Sequence, residues 1–162
     1  MLKQPGEMTF KITAVLIGVS AVFELTAVST SMPFFGIILI TPTVMLYHLT
    51  YMILFTALAF GLWYAKRWGY YVLWLTLILY VTDHLQAVIN SELLREYLVL
   101  QLQDYDRILK LLQMDLALLK QSGMLDFIVF MLQVMGYTIA ACWLGFGVYA
   151  YQHRRYFGIG HE

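Results

Sequence analysis

Four apolar runs, each long enough for a membrane helix, alternate with shorter broken or polar stretches along the chain. A hydrocarbon core is crossed by about 20 apolar residues in helical form. The runs cover approximately residues 10–30, 43–64, 70–88 and 124–151. The first also has the outline of a signal peptide, with Lys3 ahead of it and Ala27-Val28-Ser29 behind. Glu24 interrupts that outline and Lys11 sits late in the charged region, so the expectation is a span and not a removed leader.

The joints differ in character. Residues 31–42 carry no charge and three breakers, Pro33, Gly36 and Pro42. Their middle, Phe34 to Ile40, is too apolar for a free aqueous loop and is expected in the membrane interface or beneath a neighbour. Ala65-Lys66-Arg67-Trp68-Gly69 makes a short turn between the second and third spans.

Between the third and fourth spans, residues 91–122 read as a long amphipathic helix. Leu94, Leu98, Leu102, Tyr105, Leu109, Leu112, Leu116 and Leu119 recur at spacings of three and four, the mark of one apolar face. The other face carries Glu92, Arg95, Glu96, Asp104, Arg107, Lys110, Gln113, Asp115 and Lys120, with Asp106 and Lys110 four apart. Asn90 or Ser91 suits its start and Gly123 its stop. Such a helix measures roughly 45 Å. It can lie flat in the interface, self-associate or dock on a partner. Its acid–base mixture lacks the Lys/Arg excess of a lipid-binding helix, and burial against protein is the favoured expectation. The fold class expected is therefore an all-α integral membrane protein: a four-transmembrane-helix bundle plus a long amphipathic extramembrane or interfacial helix.

Composition agrees. The chain is 61% hydrophobic and 12% charged, against about 25% charge in soluble domains. One membrane domain, residues 1–162, uses up the length. A net charge of zero without a large basic cluster argues against nucleic acid as a partner. Cys142 is the only cysteine, so no intrachain disulfide forms. Lys3, Lys11, Lys66, Arg67, Arg154 and Arg155 fall on the side of the termini; Arg95, Arg107, Lys110 and Lys120 fall opposite among acids. That bias places both termini in the cytoplasm of an integral membrane protein, which for a prokaryotic chain means the inner or plasma membrane. Trp63, Tyr64, Trp68, Tyr70, Tyr71, Trp74, Tyr149, Tyr151 and Tyr156 band the same side as an aromatic belt.

Candidate chemistry lies in ionisable residues inside the spans: Glu24, His48, Asp83, His84 and Asp126. Charge there is costly, so such residues face protein or a wet cavity and are functional suspects. Glu24, His48, Asp83 and His84 sit roughly 7–9 Å below the outer boundary at 1.5 Å per residue, with Asp126 shallower. They fall on polar or small stripes: Thr13, Ser20, Glu24, Ala27 and Ser31; Thr76, Tyr80, Asp83, Gln86 and Asn90; Asp126, Gln133, Tyr137 and Ala140. Tyr80, Gln133 and Tyr137 are the supporting residues.

Three uses of this layer remain open. It can be structural, holding helices in register through interhelical hydrogen bonds. It can bind metal or haem through His48, His84 and Glu24, although Asp83 and His84 are adjacent and point about 100° apart. Or it can carry protons, with Glu24 and Asp83 as carriers and His48 as relay. No cofactor is specified, and no internal repeat of a transporter is present. No phosphate-loop, dinucleotide, His-Glu-x-x-His or Gly-x-Ser-x-Gly motif occurs. Ala14-x-x-x-Gly18, Ala57-x-x-x-Gly61-x-x-x-Ala65 and Gly136-x-x-x-Ala140 allow close helix approach, mostly within the chain. The leading expectation is a non-enzymatic accessory subunit of a larger membrane complex. Its partners, besides the lipid bilayer, would be other membrane subunits reached through residues 91–122 and 33–42.

Overall fold

The computed structural model describes residues 6–104 and 122–160. Helix α1 spans Glu7–Thr26, a hairpin follows with strands β1 (Met32–Phe34) and β2 (Ile37–Leu39), and then α2 (Thr43–Trp63), α3 (Arg67–Ile89) and α4 (Ser91–Asp104). After the undescribed segment, α5 spans Met124–Gln152 and a 3-10 turn covers Arg154–Phe157. Helices α1, α2, α3 and α5 are long and apolar enough to cross a membrane. Each is an apolar run without an internal proline; Pro42 stands just ahead of α2, where its missing N–H costs no helical bond. At 29 residues, α5 measures roughly 43 Å and extends past a hydrocarbon core of about 30 Å.

Within the apolar connector at residues 31–42, the all-α expectation gives way to a two-stranded hairpin, with Met32 opposite Leu39 and Phe34 opposite Ile37. Phe35 and Gly36 form its two-residue loop with φ of 44° and 87°. Positive φ at both positions twists the strands correctly for a tight hairpin. The backbone groups of the apolar connector are thereby paired, which hydrocarbon or its border demands. The first span also stops earlier than its apolar run, at Thr26.

Helix α4 begins where expected, with the Asn90 side-chain oxygen accepting from Leu93 N–H at 3.0 Å. Leu93, Leu94 and Leu98 are buried, while Glu92, Arg95 and Glu96 are exposed. The rest of the long helix read over residues 91–122 lies outside the described residues.

Inward faces follow helical spacing: Phe10, Ala14, Ile17 and Ala21 on α1; Val44, His48, Tyr51, Phe55, Leu58 and Leu62 on α2. Helix α2 packs on α1 and α3, and α3 packs on α5. Gly61 and Gly69 bring α2 and α3 into backbone contact, because a Cβ on Gly61 would lie 2.5 Å from Gly69 Cα. On α5, Gly136 leaves room for Val88 and Gly147 for Leu77, both from α3. The small-residue spacing at 61 and 136 thus serves packing within the chain. Outward faces carry Leu16, Val22, Phe23, Ile53, Ile78, Phe127 and Val148, all exposed. Such surface suits lipid.

One end of the bundle holds both described chain ends and the α2–α3 turn. Phe10 is fully buried there, stacked on Tyr156 at 4.6 Å and set against Phe146, Tyr149 and Phe157. The Tyr156 hydroxyl donates to the Leu62 carbonyl at 2.9 Å. Burial pushes the Tyr156 phenol up from its ordinary range, with Lys11 partly opposing. The opposite end carries the hairpin, α4 and the polar layer.

Candidate functional site

A chain of polar contacts crosses from α1 to the hairpin at that opposite end. Glu24 continues the inward face of α1, three residues past Ala21, and its Oε2 lies 2.6 Å from His48 Nδ1 on α2. Val22 and Phe23, between Ala21 and Glu24, face outward, and the carboxylate in the last full turn of α1 reaches the neighbouring helix. His48 is 9% exposed, and its Nε2 is buried without a hydrogen-bond partner.

Tyr47 precedes His48 on α2 and turns to α3, its ring perpendicular to the imidazole at 5.2 Å between centroids. The Tyr47 hydroxyl donates to Asp83 Oδ2. Asp83 is 6% exposed, and its Oδ1 accepts from Gln86 Nε2 at 3.3 Å. Both carboxylate oxygens of this buried acid are therefore occupied, as burial of a charged group requires.

Gln86, one turn along α3, clamps the hairpin. Its Oε1 accepts from Phe35 N–H at 2.6 Å, and its Nε2 also donates to the Pro33 carbonyl at 3.3 Å. Both ends of one amide thus hold the loop directly above Asp83. Nearby, Gln101 on α4 donates to the Ser31 carbonyl at 3.4 Å, which ties α4 to the same connector.

The remaining expected residues divide. Tyr80 is half-buried and packs its ring on His84 at 3.9 Å, on Trp143 at 5.1 Å and on Phe55 at 5.5 Å. His84 faces back along its own helix, with Nδ1 3.0 Å from the Tyr80 carbonyl oxygen. It is not drawn toward Glu24 or His48, and adjacency on a helix is the reason: Asp83 takes the inward position. Among the described residues, no three His, Cys, Asp or Glu side chains converge as a metal would require. Gln133 on α5 donates to the Val88 carbonyl at 2.8 Å and so joins α5 to α3. Asp126 lies at the surface, its carboxylate paired with Arg95 of α4. Tyr137 is 47% exposed and takes no part in the layer. Ser20, placed on the first polar stripe, is exposed and donates back to the Leu16 carbonyl. Thr76, on the third, is fully buried and its hydroxyl has no partner.

Two participants were not singled out from sequence. Tyr47 gives no signal there, being one of many tyrosines. Gln86 stood on the α3 stripe, three residues past Asp83, and a primary amide within a span was the available clue.

Beyond the polar chain, a groove of about 900 Å³ separates α4 from α5, lined by Arg95, Glu96, Val99, Leu125, Asp126 and Phe130 among others. It is bridged by the Arg95–Asp126 pair. No family model, no curated protein and no solved structure matches this chain, so the reading of the site stands on its own geometry.

Proposed function

We propose that this protein is a non-enzymatic accessory subunit of a larger membrane complex. One observation carries the reading: four polar contacts of the layer each tie one element to another. Glu24 to His48 joins α1 and α2, Tyr47 to Asp83 joins α2 and α3, Gln86 fixes the hairpin, and Gln133 joins α3 and α5. Interhelical bonds of this kind are worth about 0.6 kcal/mol each in a membrane and act chiefly on register. A bundle so braced is suited to presenting fixed surfaces.

The surfaces in question are the hairpin and the segment after α3. Phe35, Ile37 and Ile40 are exposed on the clamped connector, an apolar edge that suits a neighbouring subunit. The positive residues Lys11, Lys66, Arg67, Arg154 and Arg155 lie toward the end that carries the α2–α3 turn, which supports cytoplasmic termini and an extracytoplasmic hairpin. Purification under mild detergent, followed by mass measurement of the native particle, tests the proposal. A stoichiometric complex lost on Phe35→Asp is the expected result; a monodisperse lone chain in both detergent and native membrane refutes it.

Proton-coupled transport is the second reading, favoured by two acids within spans, Asp83 buried and Glu24 partly buried. It requires that Glu24→Gln or Asp83→Asn abolish proton-coupled flux in proteoliposomes. Undiminished flux in both variants, or none in the wild type, removes it.

A further inference from the structure

We propose that two copies of this protein pair through the outer edge of β2, strand to strand and antiparallel about Ile38. The inference goes beyond the accessory-subunit reading, since it requires no subunit of another kind. It starts from the hydrogen-bond phase of the hairpin.

Rungs of an antiparallel pair alternate between residues that exchange N–H and C=O bonds and residues that do not. The register sets Met32 opposite Leu39, Pro33 opposite Ile38 and Phe34 opposite Ile37. Proline has no N–H, so the Pro33–Ile38 rung is not a bonded one. Phe34–Ile37 and Met32–Leu39 are then the bonded rungs. The main-chain polar groups of Pro33 and Ile38 point away from each other, out of the two edges of the hairpin.

Those edges are not alike. On the β1 side the Pro33 carbonyl accepts from Gln86, and the strand packs on α3 and α4. On the β2 side the Ile38 N–H and C=O meet no hydrogen-bond partner among the described residues. Phe35, Ile37 and Ile40 around it are exposed, so the edge is open to a neighbour.

An unpaired amide and carbonyl beside hydrocarbon are costly, because no water is there to meet them. Sheets guard such an edge with a charge, a proline or a bulge. Ile37-Ile38-Leu39 has none of these. The occupant that fits is another strand, which supplies one C=O and one N–H opposite Ile38 and apolar side chains beside them.

Three features make that strand a second copy of β2. Four helices long and apolar enough to cross a membrane fix each copy at one depth, so like edges meet at the same height. Antiparallel pairing about Ile38 is two-fold symmetric: each Ile38 N–H donates to the other copy's Ile38 carbonyl, and Ile37 falls opposite the other copy's Leu39. Residues 31–42 carry no charge, so no like charges face one another where identical residues meet. The product is a four-stranded sheet in the order β1-β2-β2-β1, with Gln86 closing each outer edge.

Cysteine cross-linking of the full-length chain in native membranes tests the pairing, in a Cys142→Ser background because Cys142 is exposed. A disulfide needs Cα atoms within about 7 Å, and the two Ile38 Cα atoms of such a rung stand about 5.5 Å apart. The two Phe35 Cα atoms would be separated by roughly 20 Å at about 3.3 Å per residue. Mild oxidation should convert most of Ile38→Cys to a species of twice the monomer mass, while Phe35→Cys stays single. Random collision would favour Phe35→Cys, which is the more exposed site. That order, or no cross-link from Ile38→Cys, overturns the proposal. Ile38→Pro removes the outward N–H and should abolish energy transfer between donor- and acceptor-labelled copies in liposomes, whereas Ile38→Val keeps it; transfer retained in Ile38→Pro also overturns the pairing. If Ile38→Pro fails to fold, the two cysteine variants decide alone. Particle mass separates this inference from the accessory-subunit reading. A cross-linked pair without other subunits supports the pairing and ends that reading, and a mixed complex without the Ile38→Cys cross-link does the reverse.

Discussion

Replacing Gly61 by alanine isolates the contact that sets the spacing of α2 and α3. A Cβ there would stand 2.5 Å from Gly69 Cα and 3.2 Å from the Trp68 ring. Carbon atoms pack best at about 3.5–4.0 Å, so the two backbones must part by roughly 1–1.5 Å. Neither side of the contact is a side chain that can swing away, and overpacking of this kind costs about 1–3 kcal/mol. Alanine also recovers about 0.5–1 kcal/mol over glycine inside a helix, which masks part of the loss. Gly145→Ala removes that ambiguity. Gly145 is also within a membrane helix, yet a Cβ there meets nothing within 4 Å. It should gain the helical term with no steric charge against it. The difference between the two variants is then the steric cost alone, about 1–3 kcal/mol in favour of Gly145→Ala. Reversible unfolding in mixed detergent micelles, followed by circular dichroism, resolves a difference of that size. Equal stability of the two variants, to within about 0.5 kcal/mol, would refute backbone contact between α2 and α3 at these glycines.

Other consequences are as concrete. Tyr47→Phe leaves Asp83 Oδ2 without its donor and should destabilise the bundle by about 0.6–1.7 kcal/mol in the same assay, the span of interhelical bonds in membranes. Gln86→Leu removes both holds on the hairpin and the donor to Asp83 Oδ1; amide exchange at Phe35 should accelerate. Asp126→Asn breaks an exposed ion pair with Arg95 and should cost no more than about 1 kcal/mol, a difference that salt erases. Tyr156→Phe should cost about 1 kcal/mol at neutral pH through the lost bond to Leu62. Because the folded state raises the Tyr156 phenol, its contribution is complete below about pH 10, the unfolded range, and is lost as pH rises through the folded value. The wild type should therefore lose its advantage over Tyr156→Phe in alkaline titrations.

The spans were legible because hydrocarbon demands long apolar helices, and four runs met that demand. Glu24, His48 and Asp83 stood out for the complementary reason that charge there must find a partner, and each has one in the structure. Which partner was another matter. Glu24 reaches His48 across two helix axes, and only their packing through small residues such as Ala14 and Ala21 brings the pair within 2.6 Å. Asp126 and Tyr137 share the apolar run of α5, but its inward face is taken by Leu125, Val129, Gly136 and Ala140; periodicity alone did not say which side faces α3. The hairpin escaped notice because its turn is Phe35-Gly36 rather than an Asn-Gly or Asp-Gly pair, and its strands are three residues each.

The aromatic knot around Phe10 bears on biosynthesis. Its ring is enclosed by Tyr156 and Phe157, nearly 150 positions later in translation. An N-terminal helix inserted early must wait in lipid, its largest hydrophobic ring uncovered on one side, until the distal 3-10 turn has emerged from the ribosome and folded back. Such long-range closure is slow relative to pairing of neighbouring helices. Chains interrupted before residue 156 should accumulate with α1 loosely held and be the preferred targets of membrane proteolysis.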